Sequence, residues 1–226
     1  MESGEIFETQ DGSHSILSKQ YGVSYHSKYG AIQESRHVFL QAGLHYKALQ
    51  QKDLAILEIG FGTGLNALLT FEEAERHQWN IHYETVEAFP IELPQALQLN
   101  YPARLNTEKL SGIFIALHSC SWEEIHRLSP FFTFRKVCQS FQEIQYERQF
   151  DLIYFDAFAP DAQPELWEPP LLSLLYKALR PGGMLVTYCA KGSVKRAFKA
   201  VGFQVEALPG PPGKREMTRC WREIRD

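Results

Sequence analysis

Gly60, Gly62 and Gly64 stand in G-x-G-x-G spacing, straight after the apolar run 54–59 and straight before a helix-forming run. Glycine lacks the Cβ that would stop the backbone from turning sharply and letting a ligand come close. A helix opening at about Leu65 would aim its unpaired N–H groups at whatever lies over that turn. This chemistry is that of a nucleotide-binding corner, with Phe61 inside the turn. A dinucleotide fingerprint needs Gly or Ala one position further on, where this chain has Leu65. Glu58, just before the turn, would repel a pyrophosphate and suits an adenosyl–amino-acid cofactor better. Taken alone, the pattern also fits a plain strand-to-helix connection.

In an open parallel α/β sheet, ligands lie beyond the carboxyl ends of the strands, and that rule selects further residues. Glu87 ends the second strand of the unit, where a carboxylate can accept hydrogen bonds from both ribose hydroxyls; a solvated strand-end acid is the plainer reading. Ser140 and Phe141 follow the next strand, within reach of an adenine. Asp156 ends the strand in FDLIYFDAFAPD, whose residues before it are almost all apolar or aromatic. A carboxylate emerging there, edged by Phe158, could hold or deprotonate an amine; its plainer role is to cap the following loop or helix. Trp167 reads as core.

The loop LPGPPGKREMTR is stiffened by Pro and Gly and carries Lys214 and Arg215, which could meet phosphates. From Lys191 onward nine basic residues, Arg225 the last of them, stand against four acidic ones, Asp226 included, on a chain of formal charge −4. Such an excess suits a nucleic-acid face or an ordinary solvated surface. The 226 residues, 44% apolar and 22% charged, suffice for one well-buried core. No apolar run approaches membrane-spanning length, and MESGEIFETQDG lacks the features of a signal peptide. Four scattered cysteines without C-x-x-C, and eight histidines without H-E-x-x-H, predict free thiols, no metal and a cytoplasmic protein.

Positioning these residues requires alternating strands and helices. Strands are expected at 54–59, 81–87, 132–138, 151–156, 184–189, 203–207 and 218–224, and helices at 65–77, 92–99, 165–179 and 193–200. Residues 1–50 form a front extension with a hairpin signal at Asp11-Gly12 and a helical stretch from Glu34 to Gln50. Residues 51–226 form the α/β domain, a doubly wound, mostly parallel sheet. The stretch 101–131 has no clear pattern, although SWEEIHRL suits a short helix.

The segments LEIGFGTGLNAL, YFDAFAPDAQPELW, VTYCAKGSVKRAFKAVGF and LPGPPGKREMTR, with YHSKYGAIQESRHVFL at the front, resemble the methyltransferase that completes 5-methylaminomethyl-2-thiouridine at the tRNA wobble position. The resemblance runs over nearly the whole chain. It implies a class I methyltransferase fold of Rossmann-like type, S-adenosylmethionine as donor, and the primary amine of 5-aminomethyl-(2-thio)uridine in tRNA as acceptor. It assigns Asp156 to the active site and Gly60, Gly62, Gly64 and Glu87 to the cofactor. Ser140 departs from the acidic residue that many relatives carry there. The flavin oxidase fused to some relatives is expected to be absent. Rival readings are a methyl- or aminopropyl-transferase for a small amine, and a module that binds cofactor or RNA without chemistry; Leu65 disfavours a nicotinamide oxidoreductase.

Overall fold

A computed structural model of the chain describes residues 4–224; residues 1–3 of the front extension, with Arg225 and Asp226, lie outside the described residues. The Asp11-Gly12 hairpin forms as expected: β1 (Glu5–Glu8) and β2 (His14–Leu17) pair antiparallel from Glu5↔Leu17 to Glu8↔His14. The Asp11 carboxylate accepts the Ser13 N–H across the turn and the Gln33 N–H at the start of the next helix, each at 2.9 Å. An acid at a helix N-terminus is favoured there, so one residue joins hairpin to helix. That helix, α1, runs over 31–48 and is wound as a wide π-helix from Arg36 to His45.

The rest is a single eight-stranded sheet. Its strands are β3 (Asp53–Ile59), β4 (Asn80–Glu87), β5 (His126–Ser129), β6 (Phe132–Cys138), β7 (Phe150–Phe155), β8 (Leu179–Thr187), β9 (Gln204–Pro209) and β10 (Glu216–Trp221). They lie in the order β5-β6-β4-β3-β7-β8-β10-β9. The β6-β4-β3-β7-β8 run is parallel, and β5, β10 and β9 pair antiparallel. The longer helices among the described residues are α2 (Leu65–His77), α3 (Glu108–Ser119), α4 (Pro169–Ala178) and α5 (Gly192–Val201).

Strand periodicity splits the core into two layers. Leu54 and Ile56 of β3 and Leu152 and Tyr154 of β7 face α1, α2 and α3, whereas Leu57, Ile59, Ile153 and Phe155 face α4 and α5. Strands covered on both sides read as continuous apolar runs, which is why these two were visible in the sequence. α1 lies hard against the sheet: a Cβ on Gly43 would come within 3.1 Å of Val186 and 3.4 Å of the Tyr154 ring. Val38, Phe39, Leu40 and Leu44 of α1 belong to the same apolar core as β3 and β7. The front segment is thus packed into the sheet layer.

Two expectations are corrected. SWEEIHRL is not helical: Glu123 sits at φ 66°, a left-handed conformation that ends any helix, and its second half is β5. The helix of this region, α3, lies earlier. The strand expected at 184–189 starts earlier: β8 begins at Leu179 and takes in Pro181-Gly182-Gly183 as a bulge, where pairing with β7 slips between Phe150↔Leu179 and Leu152↔Met184.

Candidate active site

Beyond the carboxyl ends of β3, β4 and β7 lies a cavity of about 890 Å³, walled by the glycine turn, the loops after β4, β6 and β7, and the front segment. β3 sits at the centre of the parallel run, with β4 on one side and β7 on the other, so the ends of all three open into one crevice. Gly60, Gly62 and Gly64 have φ of 94°, 49° and 74°, values that a residue with a side chain rarely adopts. A Cβ on Gly60 would press on the Asp156 carbonyl at 3.0 Å, and one on Gly62 on the Tyr25 ring at 2.9 Å. These glycines therefore let two neighbouring loops close onto the turn. His118 of α3 supports the turn from beneath, its Nε2 3.1 Å from the Thr63 carbonyl oxygen.

Glu87 lines one end of the cavity. Its Oε2 accepts the Gly62 N–H at 2.9 Å and its Oε1 the Phe89 N–H at 2.8 Å, which locks the carboxylate across the turn and leaves further lone pairs on both oxygens. Burial lifts its pKa, and the backbone donors of Gly62, Phe89 and Ala88 oppose that lift. Phe61, Ser140 and Phe141 line the same cavity, and the Ser140 hydroxyl donates to the Gln142 side chain.

Asp156 and Asn66 form the other end. Asn66, in the first turn of α2, donates its Nδ2 hydrogen to Asp156 Oδ2 at 2.8 Å. Burial, and then the carboxyls of Glu34 and Glu58, push the Asp156 pKa well above the usual carboxylate range; Asn66 and Lys214 act the other way. Lys214 Nζ reaches Glu34 Oε1 at 2.7 Å and lies 3.8 Å from the Tyr188 ring centre. Glu34 Oε2 accepts the Ser27 N–H at 2.8 Å, and the Tyr188 hydroxyl donates to the Ala157 carbonyl at 2.8 Å. His26 lines the cavity as a neutral ring, its pKa pushed down to about 4 by burial. Phe158 packs at 5.0 Å centroid distance against both Tyr21 and Tyr25, and the three aromatic rings line the cavity. Trp167 is core, donating its indole N–H to the Phe158 carbonyl.

The cavity thus gathers Gly60, Phe61, Gly62, Glu87, Ser140, Asp156 and Phe158, all selected from sequence. Glu58 is corrected: it is fully buried beneath the turn and does not reach the cavity wall, and burial pushes its pKa up to about 8. The notion that Lys214 and Arg215 face phosphates as a pair is corrected too. Lys214 turns inward to Glu34, and only Arg215 stays exposed. Much of the basic C-terminal surplus is used internally. Lys191 pairs with Asp161, Lys195 with Glu216 and Arg219 with Glu206, while Arg222 donates to the carbonyls of Tyr176, Lys177 and Leu179. Arg196 and Lys199 remain exposed on α5. Sequence reasoning missed Asn66, Tyr21, Tyr25, His26 and Glu34. For Asn66 a signal existed, because a residue two places after the last turn glycine lies in the first helical turn and faces the same opening.

A family model described as S-adenosyl-L-methionine-dependent methyltransferase matches residues 131–223. The bifunctional tRNA 5-methylaminomethyl-2-thiouridine biosynthesis protein MnmC of Delftia acidovorans is 32% identical over 88% of this chain and 32% of its own length. That of Chromobacterium violaceum is 30% identical over 94% of this chain and 34% of its own. MnmC2 of Aquifex aeolicus, a solved structure, superposes with a TM-score of 0.79 at 25% identity, covering 100% of this chain and 72% of that one. The chain is similar to the MnmC proteins over most of its length. It is an S-adenosylmethionine-dependent methyltransferase and spans about a third of the length of the curated relatives it matches. Spermidine synthase of Thermotoga maritima shares the fold, with a TM-score of 0.53 at 13% identity.

The residues of this methyltransferase fit its cofactor. Glu87 keeps lone pairs for ribose hydroxyls, Phe141 and Ile91 offer apolar surface to a base, and Ser140 Oγ can accept from an exocyclic amine. No cluster of metal-ligating side chains occurs among the described residues. None of their helices is long and apolar enough to cross a membrane.

Proposed function

We propose that this chain methylates the primary amine of 5-aminomethyl-(2-thio)uridine at the tRNA wobble position, giving 5-methylaminomethyl-(2-thio)uridine. The observation that carries this reading is the pairing of Asp156 with Asn66 at the end of the cavity away from Glu87. The nearest cation there, Lys214, is already bound to Glu34. A pocket with an excess of carboxylate suits an ammonium group. The names of the MnmC relatives support the nucleoside.

S-adenosylmethionine supplies an electrophilic methyl group on a sulfonium. The acceptor must offer a lone pair, and with a pKa of about 10.4 roughly one alkyl amine in 2,500 does so at pH 7. Asp156 would pair with the ammonium, take one proton onto a carboxylate oxygen and hold the freed nitrogen in line. The burial that raises its pKa makes it a stronger base for this step. Tyr21, Tyr25 and Phe158 line the cavity with aromatic surface against which a base turned out of the anticodon loop could pack. Arg196, Lys199 and Arg215 are the exposed cations that would meet the RNA backbone, and a tRNA substrate places the reaction in the cytoplasm.

Nucleoside mass spectrometry tests the reading. tRNA bearing 5-aminomethyl-2-thiouridine, incubated with the protein and methyl-labelled S-adenosylmethionine, should yield labelled 5-methylaminomethyl-2-thiouridine. Label found only in an added diamine or polyamine, with none in the tRNA, would overturn it in favour of a small-amine transferase.

A further inference from the structure

Behind the cavity wall lies a group of buried polar atoms that the proposed reaction leaves unused. Both carboxyl oxygens of Glu58, Asn66 Oδ1, the Tyr83 hydroxyl and Thr85 Oγ1 are buried without a hydrogen-bond partner at proper geometry. Thr85, Asn66 and Tyr83 nevertheless stand close enough to the Glu58 carboxyl to interact with it. Orphaned buried polar atoms cost about 1–3 kcal/mol each, so a cluster of them calls for a missing proton or partner. The Asn66 amide is turned so that Nδ2 faces Asp156, which leaves its acceptor end inside the protein, where only a donor can satisfy it. An ionised Glu58 has no hydrogen to give. A protonated Glu58 has one.

We propose that Glu58 is a positioning residue that acts through Asn66: its carboxyl O–H donates to Asn66 Oδ1 and so fixes Nδ2 on Asp156. This inference rests on the reading of Asp156 as the group that receives the amine. Burial favours the neutral acid and the Glu87 carboxyl adds to it, whereas Thr85 and Tyr83 of β4 and Asn66 of α2 act the other way; Tyr154 of β7 and Asp156 also stand near, and none of these groups is a cation. The line Glu58–Asn66–Asp156 spans the strand before the glycine turn, the helix after it and the neighbouring strand end. The acid that opens the turn is thereby tied to the amine end of the cavity and not to the cofactor.

The test combines a titration with a set of variants. Carboxyl ¹³C NMR of the cofactor-free protein should show one glutamate still protonated at pH 7 and titrating at about 8, its signal missing from Glu58→Gln. Single-turnover methyl transfer at saturating cofactor should stay within about threefold in Glu58→Gln, whose amide N–H still donates, and fall at least about tenfold in Glu58→Leu and in Asn66→Ala. The double variant Glu58→Leu/Asn66→Ala should be no slower than Asn66→Ala, because both act through one amide. Cofactor Kd should stay within about threefold throughout. A Glu58 ionised at pH 7, a Glu58→Gln as slow as Glu58→Leu, or cofactor affinity lost with the charge would each overturn the proposal. Absence of any transfer by the unaltered protein would instead sink the tRNA reading, and the titration would still decide the state of Glu58.

Discussion

At the glycine-turn end of the cavity, Gly60, Gly62 and Glu87 come from the ends of two adjacent parallel strands, with Ser140 after the next, and Glu87 is held by backbone N–H groups. At the other end, Asp156 is hydrogen-bonded to Asn66 of the first helical turn, and its charge is tuned by Glu34 of the front helix and Lys214 of the C-terminal loop, which pair with each other. The first end is thus fixed by main-chain geometry, and the second by a network of charges whose members tune one another. A backbone-built end suits a ligand common to many enzymes. A side-chain-built end suits the partner that differs between them.

The sharpest way to break this contrast is to remove the charge at the second end. Asp156→Asn keeps the shape but removes the proton acceptor, and single-turnover methyl transfer should fall about 10²–10⁴-fold. The variant should recover part of that loss as pH rises, because solvent then supplies the neutral amine. At the first end, Glu87→Ala should weaken S-adenosylmethionine binding by about 1.5–3 kcal/mol, roughly 10–150-fold, as measured by calorimetry.

Lys214 sharpens the comparison from within the network. Its charge lowers the Asp156 pKa, so Lys214→Met should raise that pKa further and move the acid limb of the rate profile to higher pH. Loss of its bond to buried Glu34 should also lower stability by about 1–3 kcal/mol, between the values for surface and buried pairs, since Lys214 is one-third exposed. Cofactor affinity should not follow. The smallest effect concerns the outer surface. Replacing Arg196, Lys199 and Arg215 with Ala should flatten the log–log salt dependence of tRNA binding by roughly 0.7–0.9 for each phosphate that is no longer neutralised.

The same contrast explains what could be read before the structure. β3, α2 and β4, which build the first end, follow one another along the chain, and their apolar periodicity and glycines are local signals. Asp156 was legible because it ends a strand buried on both faces. Glu34, Tyr21, Tyr25 and Lys214 were not legible in their roles, because what each does depends on partners up to 180 residues away. Lys214 has the same loop chemistry whether it faces a phosphate or a buried carboxylate, and only the packing of α1 against the sheet decides. Glu58 misled for a related reason. Its place before the turn suggested a ligand contact, yet in β3 it lies buried beneath the turn. α3 went unplaced although Leu110, Phe114 and Leu117 recur at helical spacing and join the core, because Ser111-Gly112 interrupts its run of helix formers.

The division of labour between the two ends is tested most directly by exchanging the readouts. Cofactor Kd would be measured for Asp156→Asn, and single-turnover rate at saturating cofactor for Glu87→Ala, alongside the unaltered protein. Both crossed values should lie within about threefold of the unaltered protein, although each variant fails badly in its own assay. A Kd for Asp156→Asn weakened as much as that of Glu87→Ala, or a saturated rate for Glu87→Ala as low as that of Asp156→Asn, would contradict the account.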